Sequence, residues 1–326
     1  MKQHNGIIPY SVAQKIPLTE GLQRRRLSLK RKKEHHRKTI AGIIAASSST
    51  TLLVSSIALS YYLYRRRQRT ISVTIPCTES IKRVDIGGAV DLYLTFGQKT
   101  SITLYAKSYL MPKVCVRLKE NCLTAFIAGG SKRSTKNHVR LVVTLPNVEK
   151  ITTSGASQMI ATGINRSETF TLEQFSQKIS GLEVKSQYAE ISICGNCSSQ
   201  MSVRANNLNL NLVGDAHADI EADVTEKTDL DLDGASYLFL SGKTQELIVR
   251  NSAQAQLDGS TLKVEQGRVG LRNGASAHLN VRKSLSVELS GNSTLSLTQK
   301  PEKIQMEVIK DKATIQYINN SLKTAQ

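Results

Sequence analysis

The sequence contains no tryptophan and only 5% aromatic residues. It therefore lacks the large flat side chains that floor a sugar cleft or stack the bases of a single strand. Periodicity of the helical kind is also missing: no 3.6-residue pattern runs between Ile71 and Gln316, which excludes a leucine-rich repeat, with its helix or 3-10 turn in every unit. Nucleophile and nucleotide motifs are absent too. Gly155-Ala156-Ser157 has no glycine two residues after the serine, and no P-loop or dinucleotide fingerprint occurs. Cys115 and Cys122 have no histidine near them to complete a zinc set. Acidic residues are scarce in one region only, since residues 1–69 carry 15 Lys/Arg against 2 Asp/Glu, while the whole chain has 44 and 26. Of the formal charge of +18, the N-terminal segment thus holds +13 (15 − 2) and residues 70–326 only +5 (29 − 24), which does not describe a basic nucleic-acid-binding domain.

What the chain does have is a repeat. Small-residue corners return at Gly155, Gly195, Gly214, Gly234, Ser252, Gly274 and Gly291, about every nineteen residues, with a degenerate corner at Gln174-Phe175-Ser176. Between the corners stand short alternating segments such as Leu208-Asn209-Leu210-Asn211-Leu212 and Leu230-Asp231-Leu232-Asp233, the period-2 signature of strands. A period near twenty with strand alternation predicts a β-solenoid: each turn lays its strands over the last, apolar residues inward, with small residues where the chain bends. Ala235 is expected to pack against equivalent corner residues in the turns above and below. Met306 to Tyr317 is expected to supply the last strands, and the strands of residues 71–127 to cover the other end.

The N-terminal segment has its own organisation. Residues 1–38 form a basic head carrying Arg24, Arg25, Arg26, Lys30, Arg31, Lys32, Lys33, Arg37 and Lys38. Residues 39–64 contain no formal charge, and nine of these 26 are Ser or Thr; the length suits one membrane-spanning helix, with Tyr61, Tyr62 and Tyr64 at an interfacial belt. Residues 65–70 are a basic linker. The excess of positive charge before the span predicts a cytoplasmic head and an extracytoplasmic C-terminal domain at the inner (cytoplasmic) membrane. The basic residues would also contact anionic headgroups. The alternative is a signal peptide cut after Ala58-Leu59-Ser60, releasing a periplasmic or secreted protein.

A second set of residues carries a family resemblance. Gly88-Ala89-Val90-Asp91-Leu92, Phe96-Gly97, and Val142-Val143-Thr144-Leu145-Pro146-Asn147-Val148-Glu149-Lys150-Ile151 running into Ser154-Gly155-Ala156-Ser157, with the later Gly-Ala-Ser corners, resemble the bacterial GIN-domain family of putative adhesins. The resemblance covers roughly residues 70–316. It implies an all-β right-handed parallel β-helix over residues 71–318 on the extracytoplasmic side of the envelope, with no established activity, followed by a tail at 319–326.

Candidate site residues are few. Cys194 and Cys197 form the only CxxC, a candidate disulfide or simply small corner residues. Asp229, Asp231 and Asp233 alternate on one face, and Asp219, Glu221 and Asp223 do so in what reads as the preceding turn. They are a candidate binding face, with Arg250 and Arg272 positioned to form a charge ladder. Short connecting loops leave little from which to build a catalytic cleft. The sequence therefore predicts a non-enzymatic binding or adhesion module for an envelope protein or glycan, without cofactor or metal. An envelope-sensing or scaffolding role and, less well supported, a polysaccharide-active β-helix enzyme are the alternatives.

Overall fold

The computed structural model describes residues 69–77, 79–128 and 139–318. The basic head, the expected span at 39–64, most of the linker and the tail lie outside the described residues. Among the described residues, no helix is long and apolar enough to cross a membrane.

The expected stack is present. Long strands β10 (Thr169–Lys185), β12 (Ser198–Gly214), β13 (His217–Gly234), β14 (Tyr237–Asn251), β15 (Gln256–Leu271) and β16 (Ser276–Leu289) lie parallel in sequence order, with the shorter β11 (Tyr188–Cys194) between β10 and β12. Each long strand is folded once across its middle. In β13, residues 217–223 pair on one face and residues 227–232 on the other, with the register broken between them. Eight regular turns follow one another through Thr171, Glu190, Asn209, Asp229, Ile248, Arg268, Ser286 and Gln305.

The core is a set of columns. Leu172, Ile191, Leu210, Leu230, Val249, Val269 and Val287 occupy one position in successive turns, and all are buried. Each such side chain contributes about 1.5–3 kcal/mol on leaving water. At the corner the buried column is Cys197, Ala216, Ser236, Ala255, Ala275 and Ser293. Ala235, expected in that column, is instead exposed, because alternation carries its neighbour Ser236 inward. Gly234 fixes the bend: its φ is +79°, and a Cβ there would stand 2.9 Å from the carbonyl oxygen of Gly214.

The first part of the chain departs from the expected all-parallel helix. β2 (Arg83–Ile86) and β3 (Val90–Phe96) make the first turn and pair in parallel with β8 (Lys150–Thr162). Between them the chain inserts β4 (Ser101–Lys107), β5 (Val114–Lys119), β6 (Cys122–Ile127) and β7 (Val139–Leu145). β6 and β7 extend the two faces beyond the first turn in parallel. β5 then adds to β6, β4 to β7, and β1 (Thr70–Ile75) to β4, all antiparallel. Glu120 and Asn121, at φ 52° and 60°, make the tight β5–β6 turn, and a two-residue hairpin forces antiparallel pairing. Leu110 and the 3-10 turn Met111–Lys113 bury Leu110 and Met111 and plug this end of the core. The other end stops at β17 (Thr294–Leu297), β18 (Lys303–Ile309) and β19 (Thr314–Tyr317), with β18 on β16 and β19 on β17.

Candidate binding faces

Strand alternation decides which side chains reach solvent. On the second face Asp229, Asp231 and Asp233 of β13 point outward between buried Leu230 and Leu232. Arg250, one turn on, pairs in register with Asp231. Its guanidinium donates to the Asp229 carboxylate and lies 4.0 Å from that of Asp231, while Lys227 reaches Asp229 at 3.5 Å. Ser252 Oγ donates to Asp233 at 2.5 Å; that bond, followed by one from the backbone of Gly234, holds the Asp233 carboxyl below the usual carboxylate range. Arg250 thus joins Asp229 and Asp231, whereas Arg272 stands two residues beyond the position in register with Arg250 and pairs with Glu288 at 3.2 Å.

Next in the ladder comes Gly270, in register with Arg250 and Glu288. Without a side chain there, the face sinks into a shallow depression of about 370 Å³. Its floor is the strand at Gly270, with the side chains of Val249 and Val269 buried beneath it, and its rim carries Asp231, Arg250, Arg268, Arg272 and Glu288. Arg268 is exposed and has no ion-pair partner among the described residues. Sequence reasoning found the acids and two arginines. It missed the depression, whose only signal was a glycine at an outward strand position rather than at a corner.

Asp219 and Glu221 are elsewhere. They were expected one turn before Asp229; they belong to the same strand β13, ahead of its bend, and so stand on the other face of the same turn. There Asp223 pairs with Lys243 at 3.3 Å. The two acidic runs do not converge. Among the described residues no cluster of His, Cys, Asp and Glu is arranged to hold a metal ion.

Two further features were not foreseen. Near the first turn Lys150 Nζ bonds Glu173 at 2.5 Å, and Thr152 donates to the same carboxylate at 3.2 Å. These contacts hold Glu173 low. Asp85, in register with Thr152 on its other side, is pushed up by partial burial and by the Glu173 charge, against a smaller opposing pull from Lys150. At the corner edge of the second face, Phe175 and Val213 are exposed, with Cys194 between them and in register with Val213. Cys194 and Cys197 are free thiols, and Cys197 Sγ donates to the Cys194 carbonyl at 2.9 Å. Burial pushes both thiols up, Cys197 additionally through its neighbour, which keeps them protonated and poorly nucleophilic.

The basic residues from Arg24 to Lys38 lie outside the described residues. Comparison with solved structures gives the same architecture three times. A putative adhesin from Parabacteroides merdae matches with TM-score 0.56 at 15% identity, over 77% of this chain and 97% of its own. A putative lipid binding protein from Parabacteroides distasonis matches with TM-score 0.56 at 10% identity and the same coverages. A putative adhesin from that organism matches with TM-score 0.55 at 15% identity, again over 77% and 97%. At these identities the likeness is one of fold. A comparison with curated proteins finds no match. The family model described as "Putative auto-transporter adhesin, head GIN domain" matches residues 81–301, and with the corner repeat and the two-faced stack in place, this chain belongs to that family.

Proposed function

We propose that this protein is a non-catalytic, membrane-anchored binding module, whose right-handed β-helix stands outside the cytoplasm and grips an envelope protein or glycan with its second face. The observation that carries the reading is the depression over Gly270. It offers a side-chain-free floor at Gly270, donors from Arg268 and Arg272, and acceptors from Asp231 and Glu288, a mixture suited to a polar, hydroxyl-rich or mixed-charge partner. The family's description as an adhesin head supports the same class of function. Catalysis has less support: the ladder carboxylates of Asp229 and Asp231 are engaged by Arg250, and the acids on the first face point away from them.

In this reading residues 39–64 anchor the chain, and Arg24–Arg26, Lys30–Lys33, Arg37 and Lys38 lie against anionic headgroups. The oxidising compartment this implies would let Cys194 and Cys197 close a local disulfide, once Cys197 Sγ swings from the Cys194 carbonyl. The test uses the full chain in detergent, applied to immobilised envelope polysaccharides and to isolated cell-envelope fragments. Gly270→Trp fills the depression at a site where a Cβ meets nothing nearer than the Val249 oxygen at 3.7 Å, and Arg268→Glu reverses the rim. Capture of one probe by the wild type, reduced at least fivefold by each variant, is the expected result. Equal capture by all three would remove the second face from consideration.

A further inference from the structure

The two ends of the stack are finished differently. At the N-terminal end the core is plugged by Leu110 and Met111, each 3% exposed. At the C-terminal end the columns simply stop. Met306 is 58% exposed, Tyr317 47%, Ile309 43% and Ile318 40%, although Met306 and Ile309 continue columns whose previous members, Val287 and Leu289, are fully buried. Among the described residues β18 has a partner strand only in β16 and β19 only in β17. Their outer edges therefore present unpaired backbone donors and acceptors beside an open apolar core, the arrangement that recruits another strand.

The geometry points to a second copy of this chain as the occupant: two molecules meet end to end through β18, β19 and the exposed apolar side chains between them. Three observations favour a copy over other occupants. Residues 319–326 read Asn-Asn-Ser-Leu-Lys-Thr-Ala-Gln, so this stretch offers one large apolar side chain against four exposed ones. The N-terminal segment enters at β1, which is the far edge of the first face. That face runs β1, β4, β7, β3, β8, β10, β12, β13, β14, β15, β16, β17, β19, twelve spacings or about 58 Å at ~4.8 Å per strand. The last strands and their connections carry Glu302, Glu307 and Asp311 against Lys300, Lys303, Lys310 and Lys312, a near-balance that lets identical ends approach with little net repulsion but gives a strongly charged partner little to match. The N-terminal end also leaves the outer edges of β1 and β5 without a partner strand among the described residues, but its core is covered by Leu110 and Met111; open columns therefore meet open columns only in an isologous pair, which does not propagate into fibres. This inference does not depend on the ligand proposed for the second face.

The test is sedimentation of the full chain in density-matched detergent across a hundredfold concentration range, joined to amide hydrogen exchange at both extremes. A concentration-dependent dimer is expected, in which amides of β18 and β19 are protected at high concentration and lose at least tenfold of that protection on dilution, while β12 to β15 do not change. Met306→Lys with Ile309→Lys should leave a monomer, and Ile71→Lys, at the opposite end, should leave the dimer intact. The exchange measurement on the wild type decides the matter even if the double variant misfolds. A wild type that stays monomeric throughout, a dimer unaffected by dilution-dependent exposure of β18 and β19, or a folded double variant that still dimerises would each overturn the proposal.

Discussion

Two buried amides occupy the same column, and their substitution by leucine should have opposite consequences. The column runs Gln174, Ile193, Leu212, Leu232, Asn251, Leu271. Asn251 is 2% exposed; its Nδ2 donates to the Ser276 carbonyl over a long 3.3 Å, and its Oδ1 has no partner. An orphaned buried acceptor costs about 1–3 kcal/mol, and the weak bond given up is worth about 1 kcal/mol or less. Asn251→Leu also adds apolar burial worth about 1.5–3 kcal/mol, set against about 1–3 kcal/mol of crowding. The net expectation is a gain of about 1–2 kcal/mol, or a Tm rise of roughly 3–6 °C for a domain of this size. Gln174 is the opposite case. Its Oε1 accepts from buried Ser199 Oγ, and its Nε2 donates to the carbonyls of Ser198 at 3.1 Å and Ser176 at 3.3 Å. Gln174→Leu leaves the buried Ser199 hydroxyl without its acceptor, at a cost of about 1–3 kcal/mol, and gives up two further hydrogen bonds worth about 1 kcal/mol each, which the added leucine burial offsets only in part. A loss of about 2–3 kcal/mol should result. Both variants of the full chain are to be compared with wild type by thermal and urea unfolding followed by circular dichroism. If the two shift stability in the same direction, hydrogen-bond satisfaction is not what distinguishes these positions, and the reasoning fails.

Other expectations are narrower. Gly234→Ala combines a left-handed backbone with a 2.9 Å approach to the Gly214 oxygen and should cost about 2–4 kcal/mol, whereas Ala253→Gly, at φ 55°, should be neutral or stabilising by up to about 1 kcal/mol; urea midpoints compare the two directly. Asp85 should couple stability to pH. Its folded pKa is raised above 3.8, so the stability tied to its neutral form is complete below that value and is lost as pH rises through the folded pKa. Asp85→Asn should therefore raise the Tm at pH 7 and leave it unchanged at pH 3; an equal shift at both would point to packing instead. Glu173, held low by Lys150, acts in the reverse sense: its contribution is present above 4.5 and is lost as pH falls through its lowered value.

How much of this was legible in the sequence depended on range. Alternation within a strand and the return of small corners are local signals, and they located the inward leucines of Leu208–Leu212 and Leu230–Leu232 and the outward positions of Asp229, Asp231 and Asp233. Where a single strand turns from one face to the other was harder to read. The bend of β13 falls at Thr225-Glu226, polar residues with no glycine, so Asp219 and Asp229 read as members of adjacent turns when they share one. The choice between Ala235 and Ser236 turned on one residue of register, and a period-2 element reverses its faces with that slip. The antiparallel additions of β1 to β4 and of β4 to β7 could not be read from spacing at all, since pairing direction there is set by contacts between distant segments, whereas that of β5 follows from its two-residue turn at Glu120-Asn121. The depression over Gly270 was equally hidden, because it forms only when Arg250, Gly270 and Glu288 stand one above another.

The plug at one end of the core and the open columns at the other give the molecule a direction. The described chain starts at the plugged end, so whatever holds residues 1–68 holds the base of a rod, and the last turn is its tip, about 58 Å away along twelve strand spacings of ~4.8 Å. Two such rods joined tip to tip would have their bases facing opposite ways, about 120 Å apart at the same strand spacing. Were each base fixed in a lipid bilayer, that pair would not form readily between neighbours in one membrane. It would form across the gap between two, making the number of turns a ruler for the distance at which two surfaces are held together.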